Sequence, residues 1–396
     1  MRREDRPLWF KKCLRFFLSS LDISLGVIAL IARTLLFKRR KIKRSVLLKN
    51  LGGIGDYVML TASFEGYRAL FSESKIVLLV RSDVVEFAQR NQYVDYVITV
   101  DYNKCRNNLF HRLKLWRALL DYEFEVFVNL DYSTTHENLD SAIARWSFAR
   151  RKIGHHCLDR NSVRAYQLYD IIIPHQIEWM FEIERNNEMV RQLGLPSYNN
   201  FTTHISEIER FEYSQGIKSL LPLSAYYVVA PGSLLKDKCW PTSKYSSLID
   251  RLTPWGFEVA ICGAADEIEA ASEIVSLSRN QRPKDLTGKT SLVDFTLLIR
   301  DAAFIICNDS SAAHIAQAVG TRAFVILGGG HYGRFLPYPD KRFVHTLSME
   351  GMDCFYCYWI CRYEYFKCVK DIEVEFVCRQ ICSALGKDLV NGGSAH

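Results

Sequence analysis

From residue 45 onward the chain alternates short apolar runs with longer stretches whose apolar positions recur every three or four residues. The first pattern predicts strands and the second amphipathic helices. Val46–Leu51, Ile76–Val80, Tyr96–Val100, Val126–Leu130 and Asp170–Ile173 read as strands, with a helix over Tyr57–Phe71. A polar helix over Glu182–Gly194 ends in Gly194-Leu195-Pro196, a helix-stop signal. A polar connection runs to Pro222, and the alternation then restarts. Strands are expected at Ala225–Ala230, Glu258–Cys262, Phe304–Cys307 and Ala323–Leu327. Helices are expected at Ser243–Trp255, Asp266–Arg279, Leu292–Ala302 and Ser311–Val319. This alternation implies parallel sheets with helices on both faces. Two such series predict an α/β chain of two Rossmann-like domains facing a cleft, at 45–215 and 216–345. A Cys-rich segment and a C-terminal helix follow over 346–396, and 396 residues suffice for this plan.

Residues 1–44 break the pattern. Phe16 to Phe37 is apolar except for Asp22 and Arg33, with Lys11, Lys12 and Arg15 before it and Lys38-Arg39-Arg40-Lys41, Lys43 and Arg44 after it. Roughly 20 apolar residues cross a bilayer, so length permits a span, but the internal charges favour a helix lying in the interface with its cations on anionic headgroups. A helix packed on the protein's own body is the alternative. No small-residue cleavage site marks a removed signal peptide. The formal charge of +7 belongs here: thirteen Lys and Arg against three acids leave the rest of the chain at net −3. The expected partner is a membrane surface, and nucleic acid is not.

Candidate chemistry begins at Leu51-Gly52-Gly53-Ile54-Gly55-Asp56, between the first strand and its helix. Glycines allow a tight turn and close approach to a ligand. Phosphate cradles in such turns use bare N–H groups, and the Asp56 carboxylate would repel a phosphate. This turn is therefore read as a proton-accepting site, although Asp as a simple N-cap, worth about 1 kcal/mol, explains the residue as well. Three strand ends in the second half carry polar residues, where ligands bind in open α/β sheets. Asn308-Asp309-Ser310-Ser311-Ala312-Ala313-His314 would aim free N–H groups and a helix dipole at a diphosphate. A Ser/Asp cap without ligand is the alternative, and His314 is read equally as a phosphate contact or a packed core histidine. The loop from Ser233 holds Lys236 and Lys238, either of which can bring a cation to a leaving group or simply be solvated. Asp266 and Glu267 stand where a ribose hydroxyl could bind, and Thr287 and Gly288 near a base. Gly328-Gly329-Gly330 follows the last strand, with Arg334 nearby.

Taken in order, these pieces resemble the bacterial family-9 glycosyltransferases, the ADP-heptose:lipopolysaccharide heptosyltransferases. The matching residues are Leu51 to Asp56, Asn91-Gln92-Tyr93-Val94-Asp95, Pro231-Gly232-Ser233 with Lys238-Cys239-Trp240-Pro241, Leu286 to Leu292, and Asn308-Asp309-Ser310 through His314. They cover roughly residues 45–380. The resemblance implies a GT-B fold, the acceptor on the N-terminal domain with Gly53 and Gly55, the donor on the C-terminal one, and inverting sugar transfer with no obligatory metal. It puts the general base on Asp56, the donor-phosphate lysine on Lys238, the ribose acid on Asp266 or Glu267, and the phosphate-binding helix turn on Asp309, Ser310, Ser311 and His314. Two departures lie on the donor side: Ser311-Ala312 stands where the family has a glycine, often followed by proline, and Leu327-Gly328-Gly329-Gly330-His331 replaces Phe-Gly-Pro-Thr.

The chemistry agrees with this. A diphosphate leaves without a protonating acid if N–H dipoles and a lysine take up its charge, so one carboxylate base is enough. The absence of any Asp-x-Asp argues against a metal-bridged diphosphate. The expected function is transfer of heptose from ADP-heptose to a lipid-linked lipopolysaccharide core acceptor, peripherally on the cytoplasmic face of the bacterial inner membrane. The alternatives are another nucleotide sugar for a different envelope glycan, or a catalytically silent membrane-bound nucleotide-sugar-binding protein. Four of the twelve cysteines, Cys354, Cys357, Cys361 and Cys368, fall within fifteen residues. They could hold a structural zinc, stay free or form disulfides.

Overall fold

The computed structural model describes residues 42–131, 138–155, 168–174, 180–222 and 224–387. The expected membrane-associating segment lies outside them except for its last three residues. Those three open the first strand instead, β1 (Ile42–Asn50), which starts four residues before the apolar run does. Among the described residues no helix is long and apolar enough to cross a membrane.

The described residues divide into two compact units. The first runs to Gly53 and resumes over Ser63 onward and Glu184–Asn200. The second holds Ile54–Ala62, the residues about Glu182, and the chain from Phe201. In the first unit β1 joins β2 (Lys75–Arg81), β3 (Tyr96–Val100), β4 (Tyr122–Asn129), β5 (Arg151–His155) and β6 (Ile171–Ile173) in the order β3-β2-β1-β4-β5-β6. In the second, β7 (Tyr226–Ala230), β8 (Glu258–Ile261), β9 (Lys284–Asp285), β10 (Ile305–Asn308), β11 (Ala323–Ile326) and β12 (Val344–Leu347) run β12-β11-β10-β7-β8-β9. All pairings are parallel. Both sheets therefore have the doubly wound order whose direction reverses once, at β1/β4 and at β7/β10, and ligands bind beside such reversals.

The central strands are buried on both faces, which is why they read as unbroken apolar runs. Every residue of β7, β10 and β11 is buried. Tyr227, Phe304, Ile306 and Phe324 form one core with Trp240, Val369, Val377 and Ile381. The C-terminal helix Val374–Leu385 thus belongs to the second core and is not a separate appendage. Trp240 fixes this packing by donating its Nε1–H to the Ile372 carbonyl at 2.9 Å.

The helix expected over Tyr57–Phe71 is three pieces. Ile54–Leu60 and Phe64–Leu70 are α-helical, with a 3₁₀ turn at Thr61–Ser63 between them. The α-helix begins before Asp56, so that residue lies in its first turn and is not the N-cap the sequence suggested. A carboxylate there still interacts favourably with the positive helix end.

Candidate active site

At the reversal in the second sheet, Asn308 ends β10 and ties down the neighbouring loop. Its side-chain oxygen accepts from the Trp240 N–H at 3.0 Å, and its amide donates to the Pro231 carbonyl. The two ends of the Pro231–Trp240 loop are thereby held together. Within that loop Lys236 is exposed, whereas Lys238 is only 12% exposed and pairs with Asp309 at 3.1 Å. Ser233 donates weakly to the Asp309 carbonyl at 3.4 Å. Of the two lysines, Lys238 is the one held by an ion pair.

Ser310 precedes the helix Ser311–Val319 in an extended conformation and makes no side-chain cap. The Ala313 N–H donates to the Ser310 carbonyl at 3.2 Å, while the N–H groups ahead of it stand where a helix offers no intrahelical acceptor. Small side chains keep their approach open, and Lys238, paired to Asp309, adds a cation beside them. Together these form an anion-binding arrangement at the sheet reversal.

His314 lies one turn into this helix. It is buried, and its Nδ1 lies 2.8 Å from the Tyr338 hydroxyl. Burial pushes its pKa down to about 4, with Asp309 offsetting part of the effect. It is neutral at pH 7 and supplies no positive charge to a phosphate. A Cβ on Gly55 would stand 2.8 Å from the His314 ring and 3.6 Å from the Ser311 Cα. Gly55, expected on the acceptor side, is thus glycine because the Asp56 helix presses on the first turn of Ser311–Val319. Both helices belong to the second unit. Asp56 itself is half-buried.

The two candidates for a ribose acid differ in burial. Asp266 is exposed, while Glu267 folds back over the ends of β7 and β8. It accepts from the Ala264 N–H at 2.9 Å, and burial pushes its carboxyl up. A Cβ at Gly232 or Gly263 would fall 1.6 or 2.1 Å from its carboxylate oxygens, so both glycines exist to admit Glu267. Beside it, Gly288 adopts φ +72 and donates to the Gly263 carbonyl at 2.9 Å, and Thr287 is buried with its N–H on Asp285.

Sequence reasoning missed three features. In the first unit Lys49 is fully buried at the end of β1, ion-paired to Asp131 and, at 2.5 Å, to Asp140. Burial alone would push its ammonium down, but the two carboxylates outweigh that and hold it above its ordinary value. Asp131 also accepts from the Leu51 N–H at 2.7 Å, pinning the chain where it leaves for Gly52 and Gly53. Arg334, noted only as nearby, is buried against Glu182 at 3.5 Å. The third feature is Trp359, whose ring centroid is 4.9 Å from the Lys238 ammonium. A lysine inside an apolar strand was the visible signal for the first; the other two had none.

The four clustered cysteines are free thiols, Cys368 buried and the others half-buried. They line a cavity of about 230 Å³ with Trp359 and Phe366. Among the described residues no three His, Cys, Asp or Glu side chains form a metal-holding group, so the zinc arrangement is not assembled, nor are disulfides. The chain between Cys357 and Cys361 is used to seat Trp359. Burial pushes the Cys354 and Cys368 thiols up.

Buried His314 and half-buried His331 predict acid sensitivity. His331, beside Arg334, is likewise lowered to about 4, by burial first. An unfolded histidine titrates near 6.5, so between pH 6.5 and 4 the unfolded chain binds protons that the folded one refuses. The stability these residues contribute is complete above pH 6.5 and is lost as pH falls through that window, on the order of 3 kcal/mol for His314. Melting temperature should drop across pH 6.5 to 4, and less steeply in His314→Gln; an unchanged slope in that variant would contradict the assignment.

Comparison with known proteins gives a consistent result. A family model described as glycosyltransferase family 9 (heptosyltransferase) matches residues 112–357, beginning beyond Asp56. Lipopolysaccharide heptosyltransferase 3 of Escherichia coli is 25% identical over 295 residues, 72% of this chain and 84% of that one. The crystal structure of a family-9 glycosyl transferase from Veillonella parvula superposes with a TM-score of 0.71 at 17% identity, covering 88% of this chain and 98% of its own. The E. coli heptosyltransferase WaaC with ADP gives 0.66 at 16% identity, covering 86% and 99%. These likenesses correspond to a GT-B-like α/β fold of two parallel-sheet Rossmann-like domains. On the family match across most of the chain, this protein belongs to glycosyltransferase family 9, the heptosyltransferase family, and is a heptosyltransferase-like glycosyltransferase.

Proposed function

We propose that this chain transfers heptose from ADP-heptose to a hydroxyl of a lipid-linked lipopolysaccharide core acceptor, with inversion and without a metal ion. The observation that carries the reading is the pairing of Lys238 with Asp309 beside the open first turn of Ser311–Val319, at the reversal of the second sheet. Family membership supports the reaction class, and the E. coli relative's name and the ADP-bound WaaC structure favour this donor and acceptor.

In this mechanism the Asp56 carboxylate takes the proton of the acceptor hydroxyl as its oxygen attacks the anomeric carbon. The bond from that carbon to the diphosphate oxygen breaks on the opposite face, which inverts the configuration. The electron pair leaves on the diphosphate, where the Lys238 ammonium and the N–H groups of Ser310, Ser311 and Ala312 take up the charge. Glu267 would bind the ribose hydroxyls, with Thr287 and Gly288 near the base. Residues 1–44 would hold the enzyme on the cytoplasmic face of the inner membrane, where a bilayer-held acceptor is met.

A donor screen tests the assignment. ADP-heptose should be bound and consumed in the presence of lipopolysaccharide core acceptor, in chelator as well as without it. Preference for a GDP- or UDP-sugar would overturn the heptose assignment.

A further inference from the structure

The Gly328-Gly329-Gly330 turn departs from the family pattern, and none of its glycines has the positive φ that would call for glycine. Close packing explains the triplet. A Cβ at Gly328 would lie 2.7 Å from the Trp359 ring, one at Gly330 2.3 Å from it, and one at Gly329 2.2 Å from the Phe355 ring. The loop is stitched onto the same turn: the Tyr356 N–H donates to the Gly329 carbonyl at 2.7 Å and the Tyr358 N–H to Gly330 at 3.0 Å. From the other side, the Gly329 N–H donates to the Cys368 sulfur at 3.4 Å.

Seating the loop has a conformational cost. Tyr356, Tyr358 and Trp359 all have left-handed backbones, with φ of 67, 51 and 62. A side chain with a Cβ is strained there, and strain of this kind persists where the surroundings impose it. Its product is the placement of one side chain. The Trp359 indole N–H donates to His331 Nδ1 at 3.3 Å, and its ring lies 4.9 Å from the Lys238 ammonium on which Asp309 also acts. Trp359 is half-buried, so the contact is partly desolvated.

We infer that Trp359 is a positioning residue of the donor site, its indole face and the Asp309 carboxylate together fixing the Lys238 ammonium where the donor diphosphate is met. The Cys354–Cys368 loop is then a wall of that site, and the Gly328–Gly330 turn is the seat that admits it. This rests on the donor-site reading of Lys238. Because Trp359 acts through Lys238, its effect must vanish when the ammonium is absent.

The test compares full-length wild type with Trp359→Leu, Trp359→Phe, Lys238→Met and the double variant Lys238→Met/Trp359→Leu, by ADP-heptose turnover and ADP binding. Trp359→Leu should lower donor kcat/KM about 10-fold, within the range of a partly desolvated cation–π contact. Trp359→Phe, which keeps an aromatic face, should lose about threefold or less. In the Lys238→Met background Trp359→Leu should change nothing further. An equal loss in both backgrounds, or wild-type kcat/KM in Trp359→Leu, overturns the inference. Gly330→Ala displaces the indole from its other side and serves if Trp359→Leu fails to fold; its loss must likewise depend on Lys238, and an independent loss overturns the inference. If Lys238→Met alone keeps wild-type ADP binding and turnover, the donor-site reading falls first, and the two failures are told apart.

Discussion

Asp56→Asn is expected to lower sugar transfer on the order of 10²-fold or more while leaving ADP binding unchanged. The substitution keeps the shape of the side chain and much of its hydrogen-bonding capacity, and removes its ability to accept a proton. Asp56 sits in the first turn of Ile54–Leu60, a helix whose remaining residues from Tyr57 to Leu60 are buried. That burial anchors the backbone, so an exchange at the half-buried position 56 should not move it. The favourable interaction of a carboxylate with the helix start is worth only about 0.3–1 kcal/mol, too little to unfold the chain. The two roles open to Asp56 therefore separate in one experiment. A helix-stabilising residue would show a lowered melting temperature with turnover nearly intact; a base shows the reverse. ADP affinity, measured by calorimetry on the same sample, guards against a general loss of the site. Near-normal transfer in Asp56→Asn would end the assignment.

The architecture was legible because buried parallel strands write themselves as apolar runs, and because the helix Ser311–Val319 carries its own start signal. It is found with the boundaries its sequence suggests. Strands β5, β9 and β12 were not legible for the same physical reason. Arg151–His155 and Lys284–Asp285 are short and polar, and they owe their extended form to a neighbour already in the sheet. The site divides in the same way. Asp56, Lys238 and Asp309 stand in local glycine turns or at strand ends, where a sequence advertises chemistry. Lys49 finds Asp131 82 residues away and Asp140 farther still, and Trp359 meets Lys238 across more than a hundred, so no local pattern encodes either pairing. His314 shows where motif reasoning alone stops: its position matches, but burial and Tyr338 leave it uncharged. Nor does any local pattern show that Glu267, unlike Asp266, folds back against two glycines whose missing Cβ atoms make room for it.

Lys238→Ala should cost about 10²- to 10³-fold in donor kcat/KM, the loss expected when one preorganised stabiliser of a developing negative charge is removed. Two effects add. The leaving diphosphate loses its cation, and Asp309, 9% exposed, loses the partner 3.1 Å away that neutralises it. An unpaired carboxylate beside the first turn of Ser311–Val319 would then repel the anion that the helix N–H groups attract. The second effect is electrostatic and can be removed independently. Lys238→Ala/Asp309→Asn should therefore bind ADP more tightly than Lys238→Ala, while its turnover stays low because no cation stabilises the leaving group. Raising the salt concentration should narrow the gap in ADP affinity between those two variants, since repulsion at a partly exposed site is screened. If the double variant binds ADP no better than Lys238→Ala, Asp309 does not face the phosphates, and its ion pair with Lys238 serves only to hold the loop.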